Sequence, residues 1–209
     1  MKNSRQQLVI SLALSAALGG ALSACAPLLA GGAVVGSIMV TDRRTAGSQV
    51  EDEGIELRAA SRIRENLGDR VRVSVTSYNR QVLLTGEVPS AQDKQLVEQV
   101  VSRVENVRVV VNELGILGQA SLTQRSSDTL VTGKVKAGLL DADDVFSRAF
   151  KVVTERGTTY LMGRVTQREA ERATAITRGT GGVQKVVRVL EIISEDELQA
   201  LLPKAATKP

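Results

Sequence analysis

The sequence predicts an α+β protein built from two tandem copies of one αββαβ module, each with a three-stranded mixed sheet packed against two helices. Three observations support this fold class. One stretch of sequence recurs along the chain, and the hydrophobic periodicity changes in the same order within each copy. In addition, the 43% of apolar residues is typical of a globular chain that can form one or two small cores.

The repeat relates residues 71–117 to residues 149–193. The aligned pairs are Val82–Val88 with Thr159–Val165, Gly86 with Gly163 and, after a one-residue deletion, Asn106–Val111 with Gly182–Val187. A module of roughly 65 residues is only marginally stable alone. We therefore expect the two copies to pack on each other.

In the second copy, Ser127 and Asp128 suit the start of a helix, and Val131, Val135 and Leu139 recur as a core stripe at helical spacing. The alternation of apolar residues and the turn signals then predict the remaining elements. They are a strand over 150–154, a turn at Arg156-Gly157, a strand over 158–165, a helix over 166–178 and a strand over 183–193.

The first copy shows the same order of patterns. The predicted elements are a helix over 51–67, a strand over 71–76, a turn at Tyr78-Asn79, a strand over 81–88, a helix over 90–104 and a strand over 107–116. A three-stranded sheet with both helices on one face follows, since each helix has one apolar stripe to bury.

The N-terminus has the pattern of an export signal. Two positive charges precede the uncharged stretch Leu8–Leu22, and Leu22–Cys25 follows directly and resembles a bacterial lipobox. This resemblance implies removal of residues 1–24 and a covalent diacylglyceryl and acyl (palmitate) anchor on Cys25, with no other cofactor. Ala26, where Asp would signal inner-membrane retention, implies an outer-membrane anchor facing the periplasm. The alternatives are an uncleaved membrane-spanning helix and, with less support, a cytosolic protein with a buried Cys25.

Residues 25–50 are expected to form a tether. Its apolar, Gly-rich part, Leu28–Val40, is too short to cross a bilayer. Gly32 and Gly36 form a GxxxG pattern, but outside a long apolar helix this pattern is a weak signal. We therefore interpret the segment as a flexible connection near the membrane surface.

The strand ends Leu84–Val88 and Leu161–Val165 and the closing strands at Val107 and Val183, taken with the αββαβ order, resemble paired BON domains. The segments Thr41–Val50 and Ser126–Leu130 are similar to those of dual-BON lipoproteins of the DolP type. The resemblance implies BON domains over 51–118 and 126–194, followed by a C-terminal tail over 195–209. It further implies a periplasmic, outer-membrane-anchored protein that binds anionic phospholipid and supports envelope integrity, in some members at the division site.

Composition argues against chemistry and against nucleic acid. The chain has no His, and its one Cys is expected to carry lipid, so the mature protein should lack the commonest proton shuttle and the usual nitrogen and sulfur metal ligands. Asp141–Asp144 does not fit a calcium loop, and Gly179–Gly182 follows a helix where a phosphate loop would precede one. Four aromatic residues are too few for a base-stacking platform. We expect no enzyme, no metal site and no small-molecule substrate.

The first helix of the second copy is the candidate lipid-binding element. Leu130 lies at the edge of its core stripe, beside Gly133, Lys134 and Lys136, which is the apolar and basic mixture found on interfacial helices. The resemblance implies lipid contact here, although an aromatic residue is expected where this chain has Leu130. Insertion should therefore be shallower. The alternative is that Leu130 belongs to the periphery of the core.

Strand alternation places Tyr160 and Met162 on the sheet face opposite Leu161, with Leu83 as their counterpart in the first copy. We expect these side chains to pack against the other copy, with a site for a partner protein as the alternative. Two functions follow as hypotheses. The first is a lipid-anchored module that binds anionic phospholipid of the same or a facing membrane. The second is an adaptor for an outer-membrane assembly, division or peptidoglycan-linked complex.

Overall fold

The computed structural model describes residues 42–201, which belong to one compact unit. The predicted signal segment, Cys25, the tether before Asp42 and residues 202–209 lie outside the described residues. The helices are α1 (Ala46–Leu67), α2 (Ala91–Ser102), α3 (Leu122–Leu140), α4 (Gln167–Gly179) and α5 (Glu195–Leu201). The strands are β1 (Arg72–Tyr78), β2 (Gln81–Val88), β3 (Val109–Asn112), β4 (Gly115–Ile116), β5 (Phe150–Glu155), β6 (Thr158–Thr166) and β7 (Lys185–Ile193).

Each module has the predicted mixed sheet. β1 pairs antiparallel with β2 and β5 with β6, because each pair is joined by a hairpin. The last strand of each module returns through a helix and therefore pairs parallel with the central strand, β3 and β4 with β2 and β7 with β6. The predicted α+β fold class with two αββαβ modules is confirmed.

Both hairpins close through two-residue turns with positive φ at both central residues, the geometry that matches strand twist. In the second module these residues are Arg156 and Gly157, as predicted. In the first they are Asn79 and Arg80, so the predicted turn at Tyr78-Asn79 was one residue early. Tyr78 instead ends β1 and pairs with Gln81.

The first helix of each module begins earlier than predicted. In α1 the hydroxyl of Thr45 accepts a hydrogen bond from the Ser48 amide, and Ser121 caps α3 in the same way. The predicted helix starts at residue 51 and at Ser127 or Asp128 were therefore wrong. Residues 46–50, which we assigned to the flexible tether, are the first turn of α1.

The predicted continuous strand over 107–116 is interrupted between β3 and β4. The Asn112 side chain accepts a hydrogen bond from the Leu114 amide at 3.3 Å, and Lys94 Nζ donates to the Leu114 carbonyl at 2.7 Å. These side-chain bonds replace ladder bonds opposite Gly86, whose φ is +115°. The register resumes unchanged at Gly115, so the interruption does not shift the pairing with β2.

Three apolar clusters stabilise the unit. Two lie between the helices and the sheet of each module, and the second contains the predicted stripe of Val131, Val135 and Leu139. The third cluster joins the open faces of the two sheets, so the layers are helices, sheet, sheet, helices. Its buried members are Tyr78, Leu83, Tyr160, Met162 and Val189.

The segment that we predicted as a C-terminal tail begins with α5, which directly follows β7. Ser194 and Glu197 cap its start reciprocally, and Leu198 is buried near the end of β6. Within residues 42–201, no helix combines the length and the apolar character that a bilayer crossing requires.

Candidate functional site

Helix α3 carries an exposed apolar surface on the side away from its core. Leu122, Leu130 and Leu140 are 73%, 67% and 71% exposed, although their helix buries a full stripe on its other side. Gly133 lies between them, and a Cβ added at this position would have no neighbour within 4 Å. Lys134 is exposed beside Leu130. We call these five residues the outer face of α3. The structure therefore excludes the alternative that Leu130 is peripheral core.

The charge around the outer face of α3 is basic. Lys134 and Lys136 are exposed, and Lys136 lies further round the helix. Neither lysine has an ion-pair partner among residues 42–201. The sole carboxylate within α3, Asp128, is buried and faces the hairpin. An apolar stripe with unpaired cations beside it is the arrangement of interfacial helices.

Asp128 fixes α3 to its own sheet. Its carboxylate accepts hydrogen bonds from the backbone amides of Arg156 at 2.8 Å and Gly157 at 2.9 Å, so it satisfies both N–H groups of the β5–β6 turn. Asp52 in α1 does the same for the turn at Asn79 and Arg80, at 2.7 Å each. This paired contact holds each first helix at a fixed position on its hairpin. Sequence reasoning assigned Asp128 to the helix start and missed this role.

Asp52 is held ionised by its surroundings. Burial alone would raise its pKa, but hydrogen bonds from the Arg80 amide, from Ser77 and from Arg44 outweigh burial and lower the pKa. The carboxylate therefore keeps its charge at neutral pH while it caps the turn.

The corresponding helix of the first module is a different surface. Val50 and Leu57 are 70% and 73% exposed on α1, so single exposed apolar residues are present there as well. However, apart from the buried Asp52, α1 carries four acidic residues, Glu51, Glu53, Glu56 and Glu65, against three arginines, so its surface is nearly balanced in charge. An anionic surface would therefore favour α3 over α1.

Leu83, Tyr160 and Met162 lie in the cluster between the two sheets, where Leu83 and Met162 have no exposed surface. Burial, together with the nearby Glu113 carboxylate, raises the pKa of Tyr160. Burial also raises the pKa of Tyr78 to about 12. Both phenols therefore stay neutral inside this cluster, and the face is covered by the other module.

An ionic network crosses the same junction. Glu87 of the first module is 1% exposed and accepts hydrogen bonds from Arg72 at 2.6 Å and from Arg156 of the second module at 2.8 Å. Arg72 also pairs with Glu155. Burial would raise the pKa of Glu87, but the two guanidinium groups outweigh it and hold the pKa below its ordinary value.

Residues 42–44 form a strap that contacts both modules. Arg43 makes a two-pronged ion pair with the buried Glu169 of α4, both bonds at 2.7 Å. Arg44 pairs with Asp52 of α1 at 2.8 Å and lies 4.3 Å from the centre of the Tyr78 ring. The end of the predicted tether is therefore fixed to the folded unit. Sequence analysis noted Arg43 and Arg44 only as part of a resemblance, because their partners are distant in sequence.

The segments Asp141–Asp144 and Gly179–Gly182, compared above with a calcium loop and a phosphate loop, have structural roles. Asp144 pairs with Arg172 at 2.9 Å, and residues 42–201 contain no cluster of three or more potential metal ligands. Gly179 ends α4, and Gly182 lies so close to Val131 that a Cβ there would approach Val131 Cγ2 to 2.6 Å. This glycine is needed for packing.

Comparison with known proteins identifies the modules. A family model described as BON domain matches residues 52–118 and 127–194. The chain is 33% identical over 174 residues to outer membrane lipoprotein DolP of Haemophilus influenzae, covering 82% of this chain and 90% of that protein. It is 31% identical to a 21 kDa hemolysin of Actinobacillus pleuropneumoniae, over 73% of this chain and 79% of that protein. It is 33% identical to osmotically-inducible protein Y of Escherichia coli, over 54% of this chain and 58% of that protein.

Proposed function

This chain belongs to the BON-domain family, as a two-domain protein of the DolP type, and on that premise we propose that it is an outer-membrane lipoprotein. Cys25 carries its lipid anchor, the two modules face the periplasm, and α3 of the second module binds anionic phospholipid. In this proposal the protein is a binding protein that supports envelope integrity, possessing no catalytic centre of its own. Localisation to the division site would follow from the lipid that α3 selects.

The outer face of α3 is the observation that supports this proposal most. Three leucines are about two-thirds or more exposed on one helix, and each would gain free energy on entering an apolar phase. Lys134 and Lys136 have no protein partner in the described part of the chain, so they can approach lipid phosphates. The lipid contact is therefore both apolar and electrostatic.

The basic character of α3 explains why anionic lipid is preferred. Each Lys or Arg near an anionic leaflet contributes about 1 kcal/mol, and the contribution declines with salt. Burying Leu130 adds about 2 kcal/mol. A single helix of this kind binds weakly and reversibly, so the lipid on Cys25 would keep the protein at the membrane while α3 responds to lipid composition.

The test is vesicle flotation of a chain that begins at Asp42 and therefore keeps the strap and both modules. Leu130→Glu combined with Lys134→Glu should weaken binding to anionic vesicles roughly 100-fold, which corresponds to about 3 kcal/mol. The matched control is Leu57→Glu with Arg64→Glu, which makes the same changes in chemistry and charge on α1.

Unchanged flotation of the α3 variant would discard this site. Equal loss in the α1 control would mean that overall charge, and not the outer face of α3, determines binding. If the native chain floats with no vesicle of any charge, the same face is better interpreted as the docking surface of a protein adaptor.

A further inference from the structure

A second apolar surface lies where the strap meets the second module. A cleft of about 460 Å³ opens between the strap, the loop after α3, the start of α4 and helix α5. Its apolar lining consists of Val145, Phe146, Leu198 and Leu201. We call this surface the strap cleft.

Phe146 is the exceptional side chain of the strap cleft. The chain has four aromatic residues, and Tyr78, Phe150 and Tyr160 are each at most 8% exposed, whereas Phe146 is 40% exposed. Arg43 of the strap lies 5.6 Å from the centre of the Phe146 ring. The ring is therefore held in place by a cation on one side and open to solvent on the other.

The charges around the strap cleft do not favour an anion. Arg43 is neutralised by Glu169, and Asp144 is paired with Arg172. Asp143 and Arg168 also line the cleft, so the rim carries both signs. An occupant of the cleft would be recognised through its apolar character.

The chain path indicates what covers this surface. Asp42 is the first residue that the structure describes, and it lines the strap cleft together with Arg43, so the sequence connects to Cys25 from this point. Sixteen residues separate Cys25 from Asp42, and a chain of that length spans at most about 55 Å. The loop that carries Phe146 directly follows α3 and its exposed Leu140. The loop that carries Phe146 therefore begins at the Leu140 end of the outer face of α3.

We propose that the strap cleft, with Phe146 as its anchor, is a second contact with the lipid surface, and that it touches the same membrane that holds the lipid on Cys25. This inference rests on the proposed function, since it takes the lipid anchor on Cys25 as given. It favours the same membrane over a facing one, because a tether of at most about 55 Å that is attached at Asp42 keeps the cleft at high effective concentration near its own leaflet.

The absence of Trp from the sequence makes this proposal directly testable. Phe146→Trp, Leu130→Trp and Leu57→Trp each give the full lipidated chain one tryptophan, and the last is a control on α1. The proteins are reconstituted in anionic vesicles that contain brominated phospholipid, which quenches only tryptophan that enters the bilayer. We expect a shift to shorter emission wavelength and strong quenching for Phe146→Trp and Leu130→Trp, and neither for Leu57→Trp.

The outcomes separate the two proposals. Quenching at position 130 but not at 146 overturns the cleft contact and leaves the α3 site standing. Quenching at 146 but not at 130 supports the cleft and discards the α3 site. Quenching at position 57 equal to that at 146 would show that the fluorescence does not report a specific contact, and would overturn the inference.

A second arrangement decides which membrane is touched. Protein with Phe146→Trp is reconstituted in vesicles without bromine, and brominated vesicles are then added. The inference expects no quenching, because the ring already lies in its own membrane. Quenching by the added vesicles would overturn contact with the same membrane. Since the rim carries both signs, quenching at position 146 should also resist salt more than quenching at position 130.

Discussion

Replacement of Met162 by Ala tests whether the two modules depend on each other through their sheets. Met162 has no exposed surface and lies in the cluster between β2 and β6. Leu161 precedes it on β6, is equally buried, and lies in the core of the second module alone. Both substitutions remove three heavy atoms, so the pair differs only in which face of the sheet loses volume.

The magnitude follows from the atoms removed. Three buried groups at about 0.8 kcal/mol each give roughly 2.4 kcal/mol, and the cavity that remains brings each loss to about 3 kcal/mol. Leu161→Ala should lower the free energy of unfolding of the second module. Met162→Ala should weaken the packing between the two modules and so destabilise both, since each is marginally stable alone.

Native-state hydrogen exchange separates the two cases. Met162→Ala should speed exchange of the protected β2 and β6 amides alike, by about 100-fold for about 3 kcal/mol. Leu161→Ala should speed β6 by a similar factor and β2 much less. If Met162→Ala leaves exchange in β2 within about twofold of the native chain, the shared cluster does not stabilise the first module and the reasoning is refuted.

Three further predictions concern single residues. Glu87→Gln should cost about 2 kcal/mol at pH 7, because it leaves two arginines without their carboxylate. The pKa of Glu87 is lowered in the folded state, so its stabilising contribution is present above the unfolded pKa of about 4.3 and is lost as the pH falls through the folded pKa. Urea unfolding at pH 7 and in acid should therefore show the difference in unfolding free energy between the native chain and Glu87→Gln becoming smaller in acid. A difference that stays constant with pH would contradict the network. Asp128→Asn should cost about 1 to 2 kcal/mol in the same assay, because the Asp128 carboxylate accepts both amides of the β5–β6 turn. The exposed Asp141 caps no turn, so Asp141→Asn is the control and should cost close to nothing; equal values for the two variants would argue against the cap. Gly86→Ala should cost more than about 3 kcal/mol, since a Cβ would lie 2.1 Å from the Arg72 carbonyl oxygen at a φ of +115°. Gly133→Ala on the open face of α3 is the control and should be neutral or stabilising by up to about 1 kcal/mol. Thermal unfolding of both variants checks this, and a tolerated Gly86→Ala would contradict the observed backbone.

Much of the fold could be predicted because local sequence patterns determine its helices and strands, and these patterns occur twice. The match of Gly86 with Gly163 aligned the hairpins, and the stripe of Val131, Val135 and Leu139 identified a core helix. Both signals are periodicities of neighbouring residues, which survive without any knowledge of tertiary contacts.

The helix starts were missed for a physical reason. The first turns of α1 and α3 are polar and bury little, so they carry no apolar stripe, and only the caps Thr45 and Ser121 mark their beginnings. Asp128 has a helix-starting composition, yet it lies one and a half turns inside α3 because its carboxylate is needed by the hairpin turn. A single sequence shows the residue type but not its distant partner.

The remaining features depend on contacts that are far apart in sequence. Arg43 is 126 residues from Glu169, so the strap could not be distinguished from a flexible tether. The exposure of Phe146 was equally hidden, because an aromatic residue before a strand is ordinarily buried. By contrast, Leu130, Lys134 and Lys136 could be selected from one helix, because helical spacing placed Leu130 at the edge of the core stripe beside two lysines and the resemblance to BON domains indicated the same helix.

The most direct test of the account is residue-resolved NMR of the described unit, residues 42–201, titrated with nanodiscs of anionic phospholipid. The account predicts that line broadening and shift changes concentrate at Leu122, Leu130 and Leu140, and that Val50 and Leu57 on α1 keep their free-state signals. Changes centred on α1, or spread evenly over both modules, would contradict the assignment of lipid recognition to the outer face of α3.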